Sequence, residues 1–126
     1  MKKWILGACA FVVLCAMTSD DVISRENGMT VVNTTTLAKD VRGYRGTTPL
    51  KIYIKKNKIV KIEALKNRET PDYFEEVQEV MLPKWNGMTV KKALKAQVDG
   101  VTGATMSSNA VRENVHRGLE YYQQHK

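Results

Sequence analysis

Between Leu50 and Ala64 apolar and polar residues alternate twice in succession: Leu50, Ile52 and Ile54 against Lys51, Tyr53 and Lys55, then Val60, Ile62 and Ala64 against Lys61 and Glu63. A period of two puts each set on one face of a strand, and the short break at Lys56-Asn57 joins the strands as an antiparallel hairpin with one buried face. Upstream, Asp40 to Arg45 reads as a neighbouring strand interrupted by Gly43 and Gly46. Downstream, Thr70 as cap, Pro71 at the first helical position and the acids Asp72, Glu75 and Glu76 open a helix whose inward stripe is Phe74, Val77 and Met81. Pro83, Asn86 and Gly87 end it, with Trp85 beside them as a core or turn aromatic, and Thr89 opens a short helix carrying Val90, Ala93 and Leu94. A last helix repeats Val111, Val115, Leu119 and Tyr122 on one side. Helices packed on one side of a small antiparallel sheet make an α+β domain.

The 126 residues leave room for one such domain behind a leader. Lys2 and Lys3 precede an almost unbroken apolar run, Trp4 to Met17, which turns abruptly polar at Thr18. That is the order of a secretory signal, and it is short for a membrane span of roughly 20 apolar residues. Residues 1–18 are therefore expected to be a signal peptide or a retained N-terminal anchor, 19–36 a polar tether ending in an edge strand, and 37–126 the folded domain. Cys9 and Cys15 both lie in the leader, so cleavage leaves no thiol for disulfides, catalysis or metal. Lipidation fits poorly, because Cys9 has too short an apolar core ahead of it and Cys15 follows Leu14 where a small residue is wanted. Setting Lys2 and Lys3 aside from the 20 basic residues leaves 18 against 13 acidic ones. They are mixed along the chain, which reads as a solvated surface and not as a nucleic-acid patch. His116 and His125 are isolated, and no acid–base pair, nucleophile dyad or metal cluster marks a complete enzyme.

The chemistry concentrates in Val98–Val111, VDGVTGATMSSNAV. Gly100 and Gly103 permit backbone angles closed to other residues, Ala104 adds little bulk, and a helix begins within a few residues of Ser107. A helix N-terminus presents unpaired N–H groups and partial positive charge, which suits a phosphate, and Thr102, Thr105, Ser107 and Ser108 add hydroxyl donors. The same residues also fit an ordinary helix cap, and composition alone leaves both readings open.

Asp99-Gly100-Val101-Thr102-Gly103-Ala104-Thr105 resembles the flavinylation motif of the FMN-binding domain family, found in subunits of sodium-pumping NADH:quinone reductases and Rnf-type electron-transport complexes. There an Asp, two small or apolar positions, Ser or Thr, Gly, Ala and Thr occur in this order, and the last Thr carries FMN through a phosphoester. Gly43-Tyr44-Arg45-Gly46 resembles the family's Gly-Tyr-x-Gly lead-in to its hairpin, and Glu69-Thr70-Pro71 its Glu-Thr-Pro element. The three stand in the family's order and span roughly Val41 to Tyr122; Thr102 stands where Ser is commoner.

The resemblance implies covalent FMN on Thr105, attached by a separate exported flavin transferase that uses FAD and magnesium. It gives Asp99 recognition by that transferase, beside a turn-shaping role as acceptor from the N–H groups of Val101 or Thr102. Ser107 and Ser108 become phosphate partners, and Glu69 and Thr70 flavin contacts, with Thr70 equally explained as a cap. Tyr44 either packs near the isoalloxazine or belongs to an ordinary core; Arg42, Arg45 and Lys51 either tune the flavin or are solvated strand charges. The implied function is an exported electron-transfer flavoprotein, periplasmic or at the outer face of the cytoplasmic membrane, working between a redox donor and acceptor that are free or membrane-bound. A non-covalent FMN-binding module and a secreted adaptor without cofactor are the alternatives.

Overall fold

A computed structural model describes residues 22–69 and 71–126. The leader expected at 1–18, the start of the expected tether and Thr70 lie outside the described residues. Four strands, β1 (Ile23–Glu26), β2 (Met29–Asn33), β3 (Leu50–Lys55) and β4 (Lys58–Ala64), form an antiparallel sheet in chain order. Its two hairpins turn on Asn27-Gly28 and Lys56-Asn57, all four residues with positive φ, the backbone that matches strand twist in two-residue turns. Asn57 holds its unfavourable conformation through neighbours: its carbonyl accepts from the Val90 N–H at 2.9 Å and its side chain from the Tyr122 hydroxyl at 2.6 Å.

The hairpin of β3 and β4 stands where the alternation puts it, but three features differ from the sequence reading. Residues 23–33, expected as a polar tether ending in one edge strand, form two strands, β1 and β2, and Val31 and Val32 are buried. Their Thr- and Asn-rich surroundings mask a strand only five residues long. Because β2 occupies the edge of β3, Asp40–Arg45 is no strand; it enters a tight turn closed by a single Arg42–Thr47 bridge and by the Gly43 N–H donating to the Gly46 carbonyl at 2.7 Å. A bulge also shifts the register, with Lys61 opposite Tyr53 but Ile59 opposite Ile54. The extra residue, Val60, is turned out at 42% exposure and Ile59 takes the core position at 1%.

The core lies between sheet and helices. Helix α1 (Pro71–Glu76) runs on into a π-turn at Val77–Met81 and a 3₁₀ turn at Leu82–Trp85, which together bury Val77, Met81, Leu82 and Trp85. Helix α2 (Val90–Lys95) is capped by Thr89, whose hydroxyl accepts from the Lys92 N–H at 3.1 Å. Helix α3 (Thr105–His125) buries Val111, Val115, Leu119 and Tyr122 as its periodicity requires. At Gly118 it lies so close to the sheet that a Cβ would stand 2.7 Å from Ile52 Cδ1. The connection 34–49 is fastened to α3 at two points. Asn114 accepts from the Thr34 hydroxyl at 2.5 Å and donates to the Ala110 carbonyl and to Thr48 Oγ1, while Thr34 Oγ1 accepts from the Leu50 N–H. Farther along, Arg117 donates to Asp40 at 2.6 and 3.2 Å and to the Leu37 carbonyl at 3.0 Å.

Candidate functional site

The three motif segments, far apart in sequence, meet at one carboxylate. Glu69, 6% exposed, accepts from the Tyr44 N–H at 2.9 Å through Oε1 and from the Arg45 N–H at 2.6 Å through Oε2, and its Oε1 also accepts from the Ser107 hydroxyl. Its own N–H is fixed by Asn67 Oδ1 at 3.0 Å. A buried carboxylate is tolerable only when its lone pairs are satisfied, and here the donors come from the Gly43–Gly46 turn and the first turn of α3. Gly43 leaves the necessary room, since a Cβ there would collide with the Glu69 carboxylate.

On the opposite wall the loop into α3 is shaped by Ser108 and Gly103. The buried Ser108 hydroxyl accepts from the Val101 N–H at 3.0 Å, the Arg112 Nε donates to the Val98 carbonyl at 2.7 Å, and Gly103 turns the chain at φ +89°. The helix starts without a side-chain cap: Ala104 is the N-cap, and its carbonyl accepts from the Ser108 N–H at 2.9 Å. The N–H groups of Thr105, Met106 and Ser107 consequently have no acceptor within the helix. Together these parts wall a cavity of about 380 Å³ lined by Tyr44, Glu69 and the run Gly103 to Ser107, within the range of small-molecule pockets.

The structure sorts the candidate residues. Thr105 is exposed at the cavity wall, and its hydroxyl has no hydrogen-bond partner among the described residues. Ser107 faces the cavity with its hydroxyl committed to Glu69, and Ser108 is spent on the loop, outside the cavity lining. The turn-shaping part expected of Asp99 is performed by Ser108 instead; Asp99 is exposed, and its side chain makes no hydrogen bond among the described residues. Gly100 packs on Ser108, where a Cβ would stand 2.6 Å from the serine Cβ, and Thr102 is exposed outside the cavity lining. Tyr44 is 66% exposed beside the cavity and is no core residue. Lys51 pairs with Glu26 at 3.5 Å, while Arg42 and Arg45 line an adjoining cleft.

Met106 is the site residue that sequence reasoning missed. It lines the cavity at 55% exposure, and its signal was a large apolar residue out of phase with the Val111–Val115–Leu119 stripe. Among the described residues the cavity offers unpaired helix N–H donors and an unpaired hydroxyl at one end and exposed Tyr44 and Met106 beside it, a set chemically suited to a phosphate joined to a flat, partly apolar group.

Comparison with protein-family models finds a match to the FMN-binding domain over residues 43–120. Comparisons with curated proteins and with solved structures find no match.

Proposed function

This chain belongs to the FMN-binding domain family, and on that premise we propose that it is an exported electron-transfer module whose FMN is held by a phosphoester to Thr105. The residues present suit such a group. Three N–H donors at the start of α3 face the demands of a phosphate, and Tyr44 and Met106 offer apolar cover to an isoalloxazine. The observation that carries the reading is the uncommitted Thr105 hydroxyl at the cavity wall, beside Ser107 and Ser108 whose hydroxyls are already engaged. A cap would have used one of these hydroxyls on the helix N–H groups, and none does so at the N-cap.

Bound FMN supplies the redox chemistry, exchanging one or two electrons. The chain attaches and orients it. Glu69 locks Ser107 to the Tyr44–Arg45 turn and so fixes the distance between the ring-covering side chain and the attachment residue. Gly103 lets the loop present Thr105 to a separate flavin transferase before the site closes. Export to the periplasm or the outer face of the membrane is supported by Lys2, Lys3 and the apolar run that follows; a redox donor and acceptor complete the set of partners.

Co-expression with a flavin transferase tests the reading. The denatured wild type and Thr105→Ser are expected to keep flavin colour, while Thr105→Ala loses it with an unchanged circular dichroism spectrum. Flavin retained after denaturation in Thr105→Ala would move the bond to another hydroxyl, Thr102 first. Flavin that binds but leaves the wild type on denaturation would make the module non-covalent.

A further inference from the structure

A second cleft of about 380 Å³ adjoins the first, walled by Arg42, Arg45, Lys66 and Arg68. The two share a boundary in the chain, since Tyr44 lines one and Arg45 the other, and likewise Glu69 and Arg68. All four cationic side chains are exposed, and none forms an ion pair among the described residues. The nearest carboxylate in sequence, Glu69, has both oxygens occupied by internal donors, and Asp72 does not line the cleft. Four like charges lining one concavity repel one another and create a local positive potential that an anionic surface relieves.

We propose that this cleft docks the acidic face of a redox partner protein beside the flavin, an inference that rests on the reading above only for the partner's redox role. A small free anion is a poorer occupant. Of the cleft's two neutral polar side chains, Asn67 is already engaged, donating to the Leu65 carbonyl and accepting from the Glu69 N–H; that leaves the single Thr47 hydroxyl, and the cations themselves are exposed and unanchored. A bilayer is a poorer occupant too, because these charges line a concavity, which receives a protruding acidic segment better than a flat headgroup layer. Transient electron-transfer encounters are small and electrostatically guided, as a cleft of this kind requires. A partner seated there stands next to Tyr44, at the edge of the flavin cavity.

The test uses the full ¹⁵N-labelled chain without flavin and a small acidic ferredoxin as probe. Amide shifts and paramagnetic broadening are expected to concentrate on residues 42–47 and 66–68. Arg42→Glu/Arg68→Glu weakens the complex by about tenfold or more, whereas Lys91→Glu/Lys92→Glu, which reverses as many charges outside both clefts, changes it less than about twofold. Raising salt from about 0.02 to 0.2 M also dissociates it. Equal losses in the two charge-reversed variants, shifts centred elsewhere, or no ferredoxin binding overturn the proposal. So does occupation of the cleft by inorganic pyrophosphate or phosphatidylglycerol vesicles when ferredoxin fails to bind. Should the glutamate variant not fold, Arg42→Gln/Arg68→Gln and the wild-type shift map decide. Flavin content, read separately by mass on co-expressed protein, keeps the two claims apart: a chain that binds ferredoxin but takes up no flavin on co-expression loses the flavin reading alone, and one that takes up flavin but ignores ferredoxin loses the docking alone.

Discussion

Both oxygens of Glu69 are taken by donors from two other segments, Tyr44 and Arg45 on one side and Ser107 on the other. Glu69→Ala removes the acceptor of one buried and two part-buried hydrogen bonds and is expected to cost roughly 2–4 kcal/mol in urea unfolding, with loss of flavin loading; Glu69→Gln, which keeps one acceptor oxygen, costs less. The Glu-Thr-Pro motif singled this residue out as a flavin contact, and it lines the cavity, but its bonds to the other two segments were not legible. Its partners lie 24, 25 and 38 residues away, and no local pattern encodes a contact at that separation. Asp99 errs the other way: a local acceptor role was legible, yet Ser108 reaches the Val101 N–H from the next turn and leaves the aspartate in water. Tyr53 carries the residue-level pH dependence. Burial, helped by its hydrogen bond to Glu63 at 2.9 Å, pushes its phenol up to about 12. A phenol raised in the fold stabilises fully below its unfolded value of about 10, and that contribution is lost as pH rises through the folded value. Urea midpoints measured across this window should fall more steeply for wild type than for Tyr53→Phe; equal slopes would remove Tyr53 from the account.

The element scale turns on how the connection 34–49 is fastened to α3. Asn114 joins Thr34, Thr48 and the Ala110 carbonyl in a buried network. Asn114→Ala should therefore destabilise by about 2–3 kcal/mol, a loss measurable by chemical unfolding. Because Thr48, held by Asn114, packs beside Gly43 at the turn that binds Glu69, the variant should also load less flavin than its residual folded fraction allows. The long helix and the β3–β4 hairpin were legible because their periods, 3.6 and 2, run over enough residues to be distinctive. The bulge was not, because Val60 is in phase with Ile62 and Ala64, and only the pairing with Ile54 puts Ile59 in the core instead. The π-turn at Val77–Met81 was equally hidden, since Val77 and Met81 look inward in both an α-helix and a π-turn.

At the scale of the molecule, the site exists because the sheet brings the connection after β2 and the residues after β4 to the end of α3 where its N–H groups are free. The α+β class followed from patterning, and the co-location of the three motifs is what the structure adds. The segment 19–36 read as a tether with one edge strand; two strands, β1 and β2, lie there and complete the sheet from residue 23. A tether and a short half-buried strand share the same polar residues, and only the pairing partner distinguishes them. The basic cleft was invisible for a similar reason: Arg42, Arg45, Lys66 and Arg68 converge in space while their sequence mixes with acids. The central claim, that FMN is bonded to Thr105, is tested most directly by mass spectrometry of the tryptic peptide running from Ala96 to Arg112, which contains Thr102, Thr105, Ser107 and Ser108. From protein co-expressed with a flavin transferase, that peptide should carry the mass of one esterified FMN, with fragment ions placing it on Thr105. An unmodified peptide from protein that was yellow before denaturation, or fragments placing the flavin on any other hydroxyl, would contradict the account.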